Sequence, residues 1–110
     1  MIPLAIPDTL PDYAQQYLRL LDEAVTKTVR DATVTSDSYR NAAEMYRQSG
    51  NAWRATEADD TADRIDLDQR LHVAGVMWNA TSDGTAKHML HVFISLIEEQ
   101  ALARRVRKVA

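Results

Sequence analysis

The sequence predicts an all-α protein, a small bundle of four to five helices. Three Gly and three Pro among 110 residues are too few for the many tight turns of an all-β fold. Alanine, the strongest helix former, is abundant, and apolar residues recur at helical spacing along most of the chain. This length is typical of one domain. We therefore expect a single helical domain over residues 11–110, preceded by an extended arm over residues 1–10.

The predicted arm combines prolines with large aliphatic side chains. Pro3 and Pro7 exclude a regular helix, because proline lacks the backbone N–H and fixes φ. The aliphatic residues, which favour burial, are Ile2, Leu4, Ile6 and Leu10. Such an arm either packs across its own bundle or reaches a neighbouring subunit.

The first helix is predicted to begin after Thr9, which is a candidate N-cap residue with Asp12 three positions later. Pro11 falls in the first turn, where a missing N–H costs nothing. Helical spacing of the apolar residues continues to about Arg30. The β-branched and capping residues over 33–37 then predict a break, a kink or a weak stretch.

The second helix is predicted over residues 37–49, with a stop at Gly50 and a new N-cap at Asn51. The third helix starts near Trp53 and carries small residues that permit close helix packing. These small residues are Ala55, Ala58 and Ala62. The apolar pattern changes phase near Asp66, which predicts a possible further helix start. A loop is predicted over residues 79–84.

The last helix, predicted over about residues 85–108, is apolar around more than half of its circumference. Its apolar residues are Met89, Leu90, Val92, Phe93, Ile94, Leu96 and Ile97, and its polar stripe is His88, His91, Ser95 and Glu98. A peripheral helix of a small bundle needs an apolar stripe of only about 100°. This helix therefore either lies at the centre of the fold or also buries area against a second chain.

The residue content limits the chemistry that the chain can perform. The absence of Cys excludes disulfides and thiolate catalysis, and neither a Gly-x-Ser-x-Gly elbow nor a Gly-rich phosphate loop occurs. His88 and His91 share a helix face but lack a second paired ligand motif, so we expect neither a metal nor a cofactor. The sequence therefore predicts a protein that is not an enzyme.

Two patterns bear on location and origin. The first residues lack the basic region of a signal peptide, and no stretch approaches the roughly 20 apolar residues that span a bilayer, so we expect a cytoplasmic protein. Arg outnumbers Lys ten to three. Together with the abundant alanine, this ratio favours a bacterial or phage genome.

The surplus of apolar surface predicts a protein-interaction or assembly protein that acts through an apolar helix face. We expect a homo-oligomer, with a dimer favoured, or a complex with another protein. The residues predicted to bind the partner are Ile2, Leu4, Ile6, Met89, Leu90, Phe93, Ile94 and Ile97.

The alternative prediction is a small nucleic-acid-associated regulator that uses the basic C-terminal helix. The residues concerned are Arg104, Arg105, Arg107 and Lys108. Cations at a helix C-terminus already oppose the negative end of the macrodipole, and they can also contact phosphates or an acidic surface. The acidic run over residues 57–68 is one such surface, and we interpret this run as a solvated helix face. The net charge of −3 disfavours nonspecific coating of nucleic acid.

Overall fold

The computed structural model describes the backbone of residues 2–109 and the side chains of residues 2–29 and 35–104. Over these residues the chain contains helices and no strand, which confirms the all-α prediction. The four helices of this described part are α1 (Asp12–Thr28), α2 (Arg30–Gln48), α3 (Ala52–Ala80) and α4 (Gly84–Val109).

The start of α1 differs from the expected capping pattern. Pro11, and not Thr9, occupies the N-cap position, and α1 begins at Asp12. The side-chain amide of Gln15 instead holds the preceding turn, because its Nε2 donates to the carbonyl oxygen of Leu10 at 2.8 Å and to that of Asp8 at 3.2 Å. A residue of the helix itself, Gln15, therefore fixes the conformation of the turn before α1.

Of the three alternatives predicted over residues 33–37, the break is wrong, because α2 continues through these positions. The chain bends at Val29, where φ is −100° and ψ is 53°. Val29 is buried and packs in the same core as Val25. β-Branched and hydroxyl residues lower helix propensity by only fractions of a kcal/mol each. Burial of Val29 outweighs that preference and sets the position of the bend.

The turn between α2 and α3 follows the sequence prediction. Gly50 has φ +81°, a left-handed conformation that glycine adopts without strain. Asn51 then caps α3, since its Oδ1 accepts a hydrogen bond from the backbone N–H of Arg54 at 3.2 Å. The backbone N–H of Asn51 also donates to the carbonyl oxygen of Tyr46 at 2.8 Å, which closes the turn.

Helix α3 is continuous over 29 residues, so the further helix start expected near Asp66 does not occur. Its N-terminal half packs closely on α2 through small side chains. These buried residues are Ala43, Ala55 and Ala58. The close packing confirms the prediction that the alanine face of the third helix allows close approach.

The larger core lies at the other end of the molecule, where α1 and α4 pack on the C-terminal half of α3. Leu18, Leu67 and Phe93 are each fully buried there, one from each helix. The chain loop over residues 81–83 joins α3 to α4, close to the predicted loop. Within the described residues, none of the helices combines the length and the apolar character that crossing a bilayer requires.

The molecule is elongated, with principal extents of 51 × 29 × 22 Å. Its radius of gyration is 15.5 Å, compared with about 13 Å for a compact chain of this length. A helix of 29 residues is about 43 Å long at 1.5 Å per residue, so α3 sets the long axis. Most residues of α1 are exposed, so much of its surface is not covered by the other described elements.

Candidate interaction surfaces

The apolar residues of α4 lie inside the chain's own core. Those predicted to bind a partner are placed as follows: Met89, Leu90, Phe93 and Ile97 are buried, and Ile94 is partly buried against the same core. The structure thus shows the first of the two alternatives for this helix, a central position in the fold. The polar stripe from His88 to Glu98 faces solvent as expected. Direct contact of a partner with the α4 residues stays a prediction, and it requires the bundle to open.

The N-terminal segment, defined here as residues 2–7, packs along α3 and α4 without regular secondary structure. Leu4 is buried in the main core, and both Ile2 and Ile6 are packed against it. The intervening residues Pro3 and Ala5 are exposed. This alternation places one side of the segment on the bundle and the other in solvent. Of the two options for the arm, the structure shows packing across its own chain.

A buried ionic centre on α3 binds both the backbone N–H and the backbone C=O of Ile2. The backbone N–H of Ile2 donates to Oδ2 of Asp66 at 2.9 Å, and Nη2 of Arg70 donates to the carbonyl oxygen of Ile2. Both side chains are buried, with exposures of 0% and 1%. Arg70 is itself fixed by Asp22 of α1, whose Oδ1 accepts from Nε at 2.8 Å. The centre therefore joins α1, α3 and the N-terminal segment.

Gln100 of α4 makes the matching contact further along the segment. Its Oε1 accepts from the backbone N–H of Ala5 at 3.3 Å, and its Nε2 donates to the carbonyl oxygen of Ala5 at 3.1 Å. Three side chains thus pair with both the N–H and the C=O of Ile2 and of Ala5. We call this set, Asp66, Arg70 and Gln100, the backbone clamp.

Asp66 also joins α2 to the centre. Nη2 of Arg40 lies 2.8 Å from Oδ2 of Asp66 and 3.0 Å from Oδ1 of Asp63. Burial by itself lowers the pKa of the Arg40 guanidinium, but hydrogen bonds and attraction from the two carboxylates outweigh it and raise this pKa. Because the folded-state pKa is raised, the stabilisation is present below the unfolded pKa of arginine. It is lost only as the pH rises through the folded-state pKa.

The acidic run is not solvated throughout, contrary to the sequence interpretation. Asp63 and Asp66 are buried and paired, whereas Asp59 is a half-buried partner of the exposed Arg47. The sequence contains one signal of the buried centre, the opposite charges of Asp66 and Arg70 four residues apart. The apolar Leu67 lies next to Asp66, and the structure buries it fully. The distant partners of these groups leave no local trace in the sequence.

One of the four predicted basic contacts is described. Arg104 forms an ion pair with Asp63, so it meets the chain's own acidic run within a single molecule. Its side chain is 23% exposed. The side chains of Arg105, Arg107 and Lys108 lie outside the described residues. Contact of the basic end with phosphates or with another acidic surface stays a prediction.

Helix α1 carries an apolar face that none of the described residues covers, and this face is not among the surfaces predicted from the sequence. Tyr13 is 74% exposed, Leu20 is 58% exposed and Tyr17 lies between them at 38%. With the exposed Ala24, these residues recur at spacings of four, three and four, which is one helical stripe. We call these four residues the α1 face. This spacing can be read from the sequence, because it places all four residues on one side of the helix.

A second exposed apolar region lies beside the α2–α3 turn. A pocket of about 460 Å³ is lined in part by three aromatic residues, Tyr39, Tyr46 and Trp53. Trp53 is 68% exposed, and the guanidinium carbon of Arg54 lies 5.9 Å from the ring centroid of Tyr46. The pocket is shallow and open. It lies near the α2–α3 turn, at the opposite end of the molecule from the main core.

The described residues contain no group of three or more His, Asp or Glu side chains arranged to hold a metal ion. Comparison of the chain with models of known protein families, with curated proteins and with solved structures finds no match. The chain's own surfaces are therefore the basis for assigning a function.

Proposed function

We propose that the chain is a non-enzymatic assembly protein that self-associates, in the simplest case as a homodimer, through the α1 face. The observation that carries this proposal is the exposure of two tyrosines and a leucine in one stripe of an amphipathic helix. A contiguous exposed apolar stripe on a globular protein marks an interaction site more often than scattered apolar residues do. Self-association is thus the function predicted from the sequence, but the contact surface is on α1 instead of α4. The chain is divided as predicted into an arm, residues 1–10, and one helical domain, residues 11–110.

Charge favours a second copy of the chain as the partner. Exposed Asp12 lies in the first turn of α1 and exposed Lys27 lies in the last turn. In an antiparallel pair of α1 helices, with a two-fold axis at the level of Leu18 and Arg19, each Asp12 lies level with Val25 of the second copy, and Lys27 follows two residues, about 3 Å, further along the axis. A two-fold contact uses the same patch on both subunits, so one complementary helix suffices. The antiparallel arrangement also opposes the two helix dipoles favourably.

Side-chain size fits the same arrangement. Around this axis Tyr17 lies opposite Leu20 of the second copy, and the large Tyr13 lies opposite the small Ala24. Large residues facing small ones allow two helices to interdigitate at the usual interaxial separation of about 8–10 Å. The four residues therefore form a patch that is complementary to itself.

The area of the α1 face places the expected dimer at the weak end of the range. Burying the exposed parts of Tyr13, Tyr17 and Leu20 removes on the order of 700 Å² from water over both copies. Stable specific interfaces exceed about 1,000 Å² in total. We therefore expect association in the micromolar range, unless a second region of the chain adds to the contact.

Size-exclusion chromatography with light scattering, over a micromolar dilution series, tests this proposal. We expect a concentration-dependent dimer for the natural chain and a monomer for Leu20→Lys. The matched control is Val76→Lys, since Val76 is 57% exposed on α3 and Leu20 is 58% exposed on α1. Both variants should keep the helical content of the natural chain. A natural chain that stays monomeric throughout, or equal loss of the dimer in both variants, would contradict the proposal.

A further inference from the structure

We propose that the pocket beside the α2–α3 turn binds an arginine side chain of a partner protein, stacked on the ring of Trp53 and paired with the carboxylate of Glu57. We call this pocket the turn pocket. It is separate from the α1 face, because its described lining residues all belong to α2 and α3. Binding there goes beyond the proposed self-association and gives the chain a second partner, of defined chemistry.

The turn pocket is a groove between two packed helices. On α2, the lining residues Tyr39, Ala42 and Tyr46 recur at spacings of three and four, so they form one stripe of that helix. On α3, the small Ala58 also lines the groove. Because both alanines are small, the space between the larger side chains stays open. Its volume of about 460 Å³ lies within the range of pockets that bind small organic groups, so the end of a long side chain fits.

Trp53 provides an aromatic surface that the described part of the chain does not use. It is 68% exposed, and its ring contacts neither a cation nor another ring among the described residues. Trp78 is the contrast, since Nζ of Lys87 lies 4.9 Å from its ring centroid. Aromatic faces attract cations through the ring quadrupole, and tryptophan does so most strongly. Trp53 therefore offers an uncovered face to a cation from another molecule.

The carboxylate of Glu57 supplies the opposite charge in the same pocket. Glu57 is partly buried, and its carboxylate forms no hydrogen bond or ion pair with a described residue. Asp59, two residues later, is by contrast paired, since its Oδ2 lies 2.7 Å from Nη1 of Arg47. A guanidinium can donate two parallel N–H bonds to one carboxylate, and such charge-assisted bonds are strong. Glu57 can accept them from a partner without giving up a contact of its own.

Arg54 indicates which cation suits the turn pocket. Its guanidinium carbon lies 5.9 Å from the ring centroid of Tyr46, so one planar cation already packs on an aromatic ring there. A guanidinium stacks on aromatic faces, matches the geometry of a carboxylate and is more weakly hydrated than an ammonium group. The combination of a free ring at Trp53 and a free carboxylate at Glu57 therefore favours arginine over lysine as the bound side chain.

The charge of the surrounding helices favours a basic partner over a nucleic acid. Residues 37–63 hold six carboxylates and three arginines, a net charge of −3, which equals the formal net charge of the whole chain. Two of these arginines, Arg40 and Arg47, each pair with two carboxylates within the chain. Single-stranded nucleic acids also stack on exposed aromatic rings, but negative surroundings repel their phosphates. The same surroundings attract a cationic side chain.

Nuclear magnetic resonance titration of the full-length chain with three capped tripeptides tests the site. The peptides carry arginine, lysine or glutamine between two glycines. We expect the arginine peptide to shift the indole N–H signal of Trp53 saturably, with a dissociation constant in roughly the millimolar range, because one side chain makes the contacts. The indole signal of Trp78 is the internal control and should not move. The lysine peptide should bind several-fold more weakly and the glutamine peptide should not bind. Equal binding of the arginine and lysine peptides, or no shift at Trp53, would overturn the proposal.

Three variants separate binding in the pocket from general attraction by a negative surface. Glu57→Gln should lower the affinity for the arginine peptide several-fold. Asp59→Asn, its matched control, removes the same charge from the same helix and should hardly change the affinity. Arg54→Gln removes the guanidinium that already occupies part of the pocket, so it should raise the affinity several-fold, a gain that misfolding cannot produce. Equal weakening by the first two variants, or no gain in the third, would overturn the proposal.

A single-stranded oligonucleotide of four thymidines is the second probe, and it should not shift the Trp53 signal. Binding of this probe at Trp53 more tightly than the arginine peptide would overturn the choice of a protein partner. Two variants keep the turn pocket distinguishable from the α1 face. Trp53→Leu should abolish peptide binding and leave self-association unchanged, whereas Leu20→Lys should do the reverse. Loss of peptide binding in Leu20→Lys would overturn the assignment of the arginine site to the turn pocket.

Discussion

Nη2 of Arg40 lies 2.8 Å from Oδ2 of Asp66, and this ion pair connects α2 to the middle of α3. The same oxygen accepts the backbone N–H of Ile2, so one buried atom joins segments from three parts of the chain. Ionic groups in a protein interior are expensive to desolvate, and they contribute favourably only when every partner is in place. The consequences of removing this carboxylate are correspondingly large.

Replacing Asp66 by alanine should strongly destabilise the fold. The change leaves Arg40 without its closest partner and leaves the N–H of Ile2 unpaired, and breaking a buried pair typically costs roughly 3–5 kcal/mol. Urea denaturation followed by far-UV circular dichroism measures the difference. Asp59→Ala is the control, because Asp59 pairs with the exposed Arg47 and its loss should hardly move the denaturation midpoint. Equal destabilisation by the two substitutions would contradict the assigned role of Asp66.

Replacing Phe93 by alanine distinguishes burial within one chain from contact with a partner. Phe93 is fully buried in the main core, so its truncation should lower the free energy of unfolding by about 3–5 kcal/mol. Ser95→Ala, on the exposed stripe of the same helix, should leave that free energy almost unchanged. A Phe93→Ala chain that keeps its monomer stability and loses only its self-association would restore the partner-binding role that the sequence predicts for α4.

The α2–α3 turn should be sensitive at both of its central positions. Asn51→Ala removes the cap of α3 and should cost about 1 kcal/mol, whereas Asn51→Asp keeps a capping oxygen and should cost much less. Gly50→Ala places a Cβ at φ +81° and should cost about 1–2 kcal/mol, although no heavy atom lies close enough to clash. Thermal denaturation measures all three. Tolerance of Gly50→Ala would mean that the turn relaxes to another backbone conformation.

A charge exchange tests the antiparallel pairing of the α1 helices. Asp12→Lys and Lys27→Asp should each weaken the dimer several-fold, because each places like charges at the same end of the helix pair, within one helical turn of each other along the axis. The double variant should restore association, since each end of the pair then holds opposite charges again. Each change also opposes the dipole of α1, so helix content is measured alongside by circular dichroism. A double variant that associates more weakly than either single one would exclude the proposed register.

The parts of the fold that follow from neighbouring residues could be predicted from the sequence. Gly50 and Asn51 form a local stop and start signal, and the spacing of α4 gives its limits and its exposed stripe. The bend at Val29 could not be predicted, because burial in a core built by distant helices outweighs weak local preferences. For the same reason the capping pattern at Asp66 predicts a helix start that the structure does not contain.

The candidate sites divide in the same way. The apolar residues of α4 were recognised, but the sequence alone does not reveal whether the chain's own helices cover them. Asp66 finds its partners 26 and 64 residues away, and Gln100 finds its partner 95 residues away. Separations of this size depend on the whole fold. The α1 face was within reach of periodicity, because Tyr13, Tyr17 and Leu20 lie on one stripe next to the buried side of the same helix.

The backbone clamp also determines which positions of the chain can vary. Since Asp66, Arg70 and Gln100 hold peptide groups, the segment that they bind retains its contacts under most substitutions at residues 3 and 5. Proline is the exception at residues 2 and 5, where the clamp needs a backbone N–H. Selection should therefore preserve three side chains that are distant from residues 2–7 in sequence. The exposed residues of the segment itself should vary between homologues.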